Sequence, residues 1–165
     1  MILISLTTPS SADTAALEQD PALAQLSIPH LALHVPVYPG TSRRTLSRGA
    51  GLVPGTARPG EKGNAVVSAH RDKHFKALQY LQQGDLIQLE VNGGAQQYQV
   101  EEIFITDPLD LAVLEPTSEQ TLTLITCHPF DYVGYAPDRY IVRATRSNVA
   151  SAAQSQQQNN TPSNR

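Results

Sequence analysis

The sequence predicts one mostly β domain with short helices, its sheet closed or nearly closed. Three observations carry that reading. The 165-residue chain holds 12 Pro and 10 Gly but no Trp, a composition that favours loop-rich β structure over a helical bundle. Its apolar runs are mostly short, rich in Val, Ile and Thr, and bounded by turn residues. An Asn92-Gly93 pair sits between two such runs, the strongest short-range hairpin signal. Closing the sheet is the usual way for such a domain to remove unpaired strand edges.

The elements follow in order. Thr7 to about Pro21 is small, polar and Pro-containing, so residues 1–22 read as a disordered leader or linker. Leu26–Val37 is apolar and β-branched but broken by Pro29 and Pro36, which suits a short strand pair or an edge. Ala65-Val-Val67 is a brief strand ending at Ser68-Ala69-His70. Phe75–Leu81 is the best helix candidate, with Phe75, Leu78 and Leu81 at helical spacing and Gly84 as the stop. Leu86–Val91 and Gln97–Ile105 form the hairpin about Asn92-Gly93-Gly94. Pro108–Leu114 suits one or two helical turns, and Leu122–Thr126 and Tyr140–Thr145 are the closing strands. From residue 148 onward the chain is polar, ending Gln156-Gln-Gln-Asn-Asn160-Thr-Pro-Ser-Asn-Arg165. It cannot bury enough surface to offset its ordering entropy, so the domain spans 23–147. There is no internal repeat and no Gly-rich phosphate loop.

Charge and hydropathy exclude several partners. The formal net charge is −3, which gives no basic field for nucleic acid. Met1-Ile-Leu-Ile-Ser-Leu6 is far short of the ~20 apolar residues of a membrane helix, and it lacks the basic region of a signal peptide. The expectation is either a cytosolic chain or one whose anchor lies outside this sequence.

The chemistry concentrates in three pieces. Cys127, the single cysteine, ends the run Thr121-Leu-Thr-Leu-Ile-Thr-Cys127. Ala69-His70-Arg71-Asp72 ends another strand, and Arg139 opens a third, twelve positions after the cysteine. A thiol nucleophile needs an imidazole to hold or take its proton, and reaction at an amide or ester needs a donor for the oxyanion. Cys, His and Arg are those parts, and strand ends are where a rigid scaffold presents side chains to a cleft.

These residues resemble the sortases, bacterial cysteine transpeptidases. Leu124-Ile-Thr-Cys127 fits the family's LxTC signature. Ala69-His70-Arg71-Asp72, with His74-Phe75, Leu78 and Gly84-Asp85 behind it, is similar to the histidine segment. Cys127-His-Pro-Phe-Asp-Tyr-Val-Gly-Tyr-Ala-Pro-Asp-Arg139-Tyr-Ile-Val142 resembles the stretch that carries the arginine, most like the class D branch. The likeness covers about Leu26 to Arg146. It implies an eight-stranded β-barrel with short helices and a reaction that needs no cofactor. It also implies a substrate protein bearing an LPxTG-like sorting signal, cut after Thr through a thioacyl-enzyme. An amine acceptor, either a cell-wall precursor or a pilin-like subunit, then resolves that intermediate. By the same resemblance His70 exchanges the protons, and Arg139 holds the oxyanion or the signal's carbonyls. The Thr126 hydroxyl is a second candidate for substrate contact. The implied location is the cell envelope, on the outer face of the cytoplasmic membrane, although no anchor is present in this sequence. A departure from the pattern is His128, where an aromatic such as Tyr is expected.

If the strand runs on past the cysteine, His128 faces away from the thiol side. His70 and His74 at helical spacing lack a third ligand, so no metal site is expected. His30 and His34 are expected to share a strand face as structural residues. Arg143 and Arg146 compete with Arg139, and only the match of Ala-Pro-Asp-Arg-Tyr to the family favours the last. Arg43, Arg44, Arg58 and Arg71 read as solvated charge, and Asp72 or Asp131 could orient a histidine. Two rivals to transpeptidation remain: a cysteine hydrolase on the same scaffold, and a non-catalytic peptide-binding barrel.

Overall fold

The computed structural model describes residues 20–147. Its strands are β1 (Ala24–Ile28), β2 (Leu33–Pro39), β3 (Ala50–Leu52), β4 (Gly63–Ser68), β5 (Leu86–Val91), β6 (Gly94–Thr106), β7 (Gln120–His128) and β8 (Asp138–Arg146). They close into a barrel in the order β1-β2-β3-β4-β7-β8-β6-β5, as the resemblance implied. The tail expected from residue 148, and all but residues 20–22 of the expected leader, lie outside the described residues.

Alternation along the strands sorts the two faces of the barrel. Leu122 and Leu124 of β7, Val142 and Ala144 of β8, and Ala65 and Val67 of β4 belong to the buried core cluster. A fully buried Leu contributes ~1.5–3 kcal/mol, so this pattern fixes the register of the central strands firmly. Thr123, Ile125 and Cys127 therefore face outward on β7, as Arg139, Ile141 and Arg143 do on β8. The upper part of that outer face is itself covered. A 3-10 helix, Leu111–Leu114, lies in the β6–β7 connection, with the Asp110 carboxylate accepting from the Ala112 amide at 3.0 Å. Asn64, buried on β4, donates to the carbonyls of Val113 and Glu115, both at 3.0 Å, and accepts from the Thr123 hydroxyl at 2.7 Å. One amide thus staples the connection to the barrel wall.

Several elements differ from expectation for identifiable reasons. Phe75, Leu78 and Leu81 are all buried, but the helix at Lys76–Tyr80 is 3-10. A strict spacing of three matches the three-residue turn of that helix better than the α period. The pair expected in Leu26–Val37 is β1 and β2, antiparallel, with a 3-10 turn at Pro29–Leu31 between them. His30 belongs to that turn and meets the Asp85 carboxylate at 3.1 Å, while His34 is on β2, so the two do not share a strand face. Pro36 is tolerated because β2 pairs with β3 only from Val37 onward. Two elements were not anticipated. The short helix α1 (Arg43–Arg48) is capped by Ser42, whose hydroxyl accepts from the Thr45 amide at 3.1 Å. β3 is Ala-Gly-Leu, without a β-branched residue. A Cβ on Gly51 would stand 2.2 Å from the Gly40 carbonyl oxygen, so the close backbone approach at the middle of that strand requires glycine.

Candidate active site

Strand order brings the three chemical pieces together. β7 lies between β4 and β8. β4 runs parallel to it, with Val67 opposite Leu124 and Ser68 opposite Ile125, and continuing that register by two residues sets His70 beside Cys127. The Ala69 amide donates to the Ile125 carbonyl at 3.2 Å, so the pairing persists past the end of β4. β8 is antiparallel to β7, and there Cys127 and Arg139 are direct partners. Adjacent strands lie ~4.8 Å apart, so Cys127 has His70 as its neighbour on one side and Arg139 on the other. All three share the outward face. They line one cavity of about 240 Å³ with Arg71, Asp72, Gly134, Tyr135 and Ala136.

The thiol is half-buried, reachable yet partly shielded. Arg139 Nη1 donates to the carbonyls of Asp138 at 3.0 Å and Ala136 at 3.4 Å. Among the described residues its Nη2 and Nε make no hydrogen bond, so part of the fork stays uncommitted on a side chain that lines the same cavity as the thiol. Arg139 also walls a second, smaller slot of about 110 Å³, lined by Pro108, Leu111, Val113, Leu114, Ile125 and Ile141 among others. Arg139 thus stands between the polar cavity that holds the thiol and a more apolar slot beneath the β6–β7 connection.

Thr126 is not brought into that cavity. It is 2% exposed, has the opposite parity to Cys127, and its hydroxyl donates to the Ala69 carbonyl at 2.7 Å. That bond fixes the residue immediately before His70. His128 also has the inward parity, since β7 runs through it as a strand. Its ring stacks on Tyr140, with centroids 6.2 Å apart, and meets Phe130 edge-on at 6.1 Å. It thus fills an aromatic position at the barrel end. Asp72 lines the cavity but neither it nor Asp131 hydrogen-bonds a histidine among the described residues. His74 lies in a turn and lines a different cavity with His34, Lys73 and Lys76. Burial lowers its pKa, helped by the nearby charges of Lys73 and His70 and opposed by the Ser47 carbonyl.

Arg71 is the residue that sequence reasoning passed over. It is not merely solvated. Nη1 donates to the Pro129 carbonyl at 3.0 Å, and Nη2 to those of Tyr132 at 2.6 Å and Gly134 at 3.2 Å. Its place directly after His70 was the available signal, but the carbonyls it holds are about sixty residues away.

A Sortase domain model matches residues 26–147. The chain belongs to the sortase family. Sortase D of Bacillus subtilis (strain 168) is 35% identical over 122 residues, which are 73% of this chain and 62% of that protein. Sortase A of Bacillus anthracis is 29% identical over 117 residues, 68% of this chain and 55% of the relative. The chain therefore spans less than two thirds of the length of these relatives. Among solved structures, a Clostridium perfringens sortase D5 transpeptidase superposes with a TM-score of 0.70 at 30% identity, covering 85% of this chain and 90% of that one. Sortase A from Corynebacterium diphtheriae gives 0.73 at 31% identity, covering 84% and 70%. The likeness to class D relatives and the sortase barrel both agree with the sequence reading. Among the described residues, no helix of this sortase-family domain is long and apolar enough to cross a membrane.

Proposed function

We propose that this domain is a cysteine transpeptidase that cuts an LPxTG-like sorting signal after Thr and transfers the protein to an amine. The observation that carries the reading is the placement of Cys127 between His70 and Arg139 on one outward face. The Cys127 thiolate attacks the threonine carbonyl, and the oxyanion that develops is met by the Arg139 donors. Preorganised donors of this kind are commonly the largest single electrostatic contribution to acyl transfer. As the tetrahedral intermediate collapses, the C–N bond breaks, the leaving amine takes a proton from the His70 imidazolium, and a thioester remains. An incoming amine gives a proton to His70 and attacks the thioester. The C–S bond then breaks, the new amide forms, and the thiolate is restored. The apolar slot beyond Arg139 suits the signal's apolar side chains. Thr126 acts as a positioning residue for His70 through the Ala69 carbonyl, not as a donor to substrate. The working location is the cell envelope, where substrates bearing sorting signals meet their acceptors.

The test is turnover of a fluorogenic LPxTG-type peptide with and without a primary amine. Transpeptidation predicts an amine-ligated product whose yield rises with acceptor concentration. Cleavage that yields only free acid at every acceptor concentration would replace this reading with the hydrolase, and no cleavage with binding retained would replace it with the peptide-binding barrel.

A further inference from the structure

The β7–β8 connection forms one wall of the catalytic cavity through Gly134, Tyr135 and Ala136, yet little holds it from within. Residues 131–135 are all exposed, and Val133 and Tyr135 are 95% and 85% exposed. No apolar side chain between Phe130 and Ala136 anchors the segment in the core. Its backbone is instead gathered by Arg71, whose three hydrogen bonds reach Pro129, Tyr132 and Gly134. The guanidinium carbon also lies 5.8 Å from the centre of the Tyr132 ring. On the far side Arg139 holds the carbonyls of Ala136 and Asp138. The wall is therefore clasped at both ends by cations from the two segments that flank Cys127.

We propose that Arg71 is a positioning residue that sets this wall relative to His70, and so fixes the width of the cavity in which the acyl-enzyme meets its acceptor. Residue 71 is covalently next to the imidazole-bearing residue, so the clasp leaves little independent movement between His70 and the wall. A planar fork can satisfy three carbonyls spread over six residues, whereas a single ammonium cannot hold that spread. The effect on turnover rests on the transpeptidase reading, but the effect on the wall does not.

The experiment compares Arg71→Ala and Arg71→Lys with the unaltered chain by three readouts. The first is limited chymotrypsin cleavage after Tyr132 and Tyr135, which should rise about tenfold in both variants if the clasp orders the loop. The second is alkylation of Cys127 by iodoacetamide, which should stay within about twofold, because the thiol itself is untouched. The third is peptide kinetics, where KM for donor and acceptor should rise about tenfold or more and kcat should change less. Unchanged cleavage at Tyr132 and Tyr135 would overturn the clasp even if turnover fell. Full rescue of cleavage resistance and KM by Arg71→Lys would also overturn it, since charge alone would then suffice. If the unaltered chain turned over no peptide, the proteolysis arm would still decide whether the clasp exists, while the transpeptidase reading would fail separately.

Discussion

Replacing Thr126 by Val keeps the shape of a buried side chain and deletes one donor. The hydroxyl donates to the Ala69 carbonyl at 2.7 Å, and both residues are nearly inaccessible, at 2% and 4% exposure. A buried carbonyl left without its partner costs ~1–3 kcal/mol. For a domain of this size each kcal/mol moves Tm by roughly 3–5 °C, so a loss of about 3–15 °C is expected. The second consequence is catalytic. Ala69 precedes His70, and a shift of about 1 Å in a catalytic group can cost ~100-fold, so kcat should fall by roughly 10–100-fold with KM little changed. Thr126→Ser is the control. It keeps the donor and loses one methyl, costing ~0.8 kcal/mol, and should retain most of the activity. Calorimetry and peptide turnover on the two variants decide the matter. A Val variant that loses activity at unchanged Tm would refute the reasoning, because it would place the hydroxyl on the substrate instead of on the scaffold.

Other expectations follow from the same geometry. Arg139→Ala should lower kcat by ~100–1,000-fold with Tm nearly unchanged, as loss of an oxyanion donor does, and Arg139→Lys should recover only part, as steady-state kinetics will show. Asn64→Leu removes three hydrogen bonds, two of them buried, and frees the β6–β7 connection, so about 3 kcal/mol should be lost in urea titration. His74 has a folded-state pKa below its ordinary 6.5, chiefly through burial. The unfolded chain then binds more protons near and below that value, so this group's contribution is intact above 6.5 and declines as pH falls through 6.5 toward the folded pKa. Urea midpoints should accordingly fall less steeply on acidification in His74→Gln than in the unaltered chain, and equal slopes would show that burial of His74 is not felt.

The β elements were legible where side chains carry the pattern. β7 reads directly from Leu122-Thr-Leu-Ile-Thr because inward Leu122 and Leu124 alternate with outward Thr123 and Ile125 over a packed core. The β5–β6 hairpin reads from Asn92-Gly93, where Asn92 has a φ of +50° and Gly93 of +78°. β3 was illegible because Ala-Gly-Leu is three residues long and carries neither β-branching nor alternation. Cys127, His70 and Arg139 were nominated by residue type and by resemblance, but their convergence depends on β4 and β8 flanking β7, a fact of strand order. Arg71 read as solvated charge and Thr126 as a substrate contact, and their backbone bonds escaped for a related reason. Their partners are backbone carbonyls, Gly134 and Ala69 among them, and a carbonyl looks the same in every residue of a sequence.

The central claim is that Cys127 forms an acyl-enzyme that an amine resolves, and intact-mass spectrometry of the protein with LPxTG-, LPxTA- and LAxTG-type peptides tests it most directly. The account predicts a mass increase equal to the peptide up to its threonine, located on Cys127, absent in Cys127→Ala and discharged by an added amine into a ligated product. Peptide cleavage that continues undiminished in Cys127→Ala would contradict it.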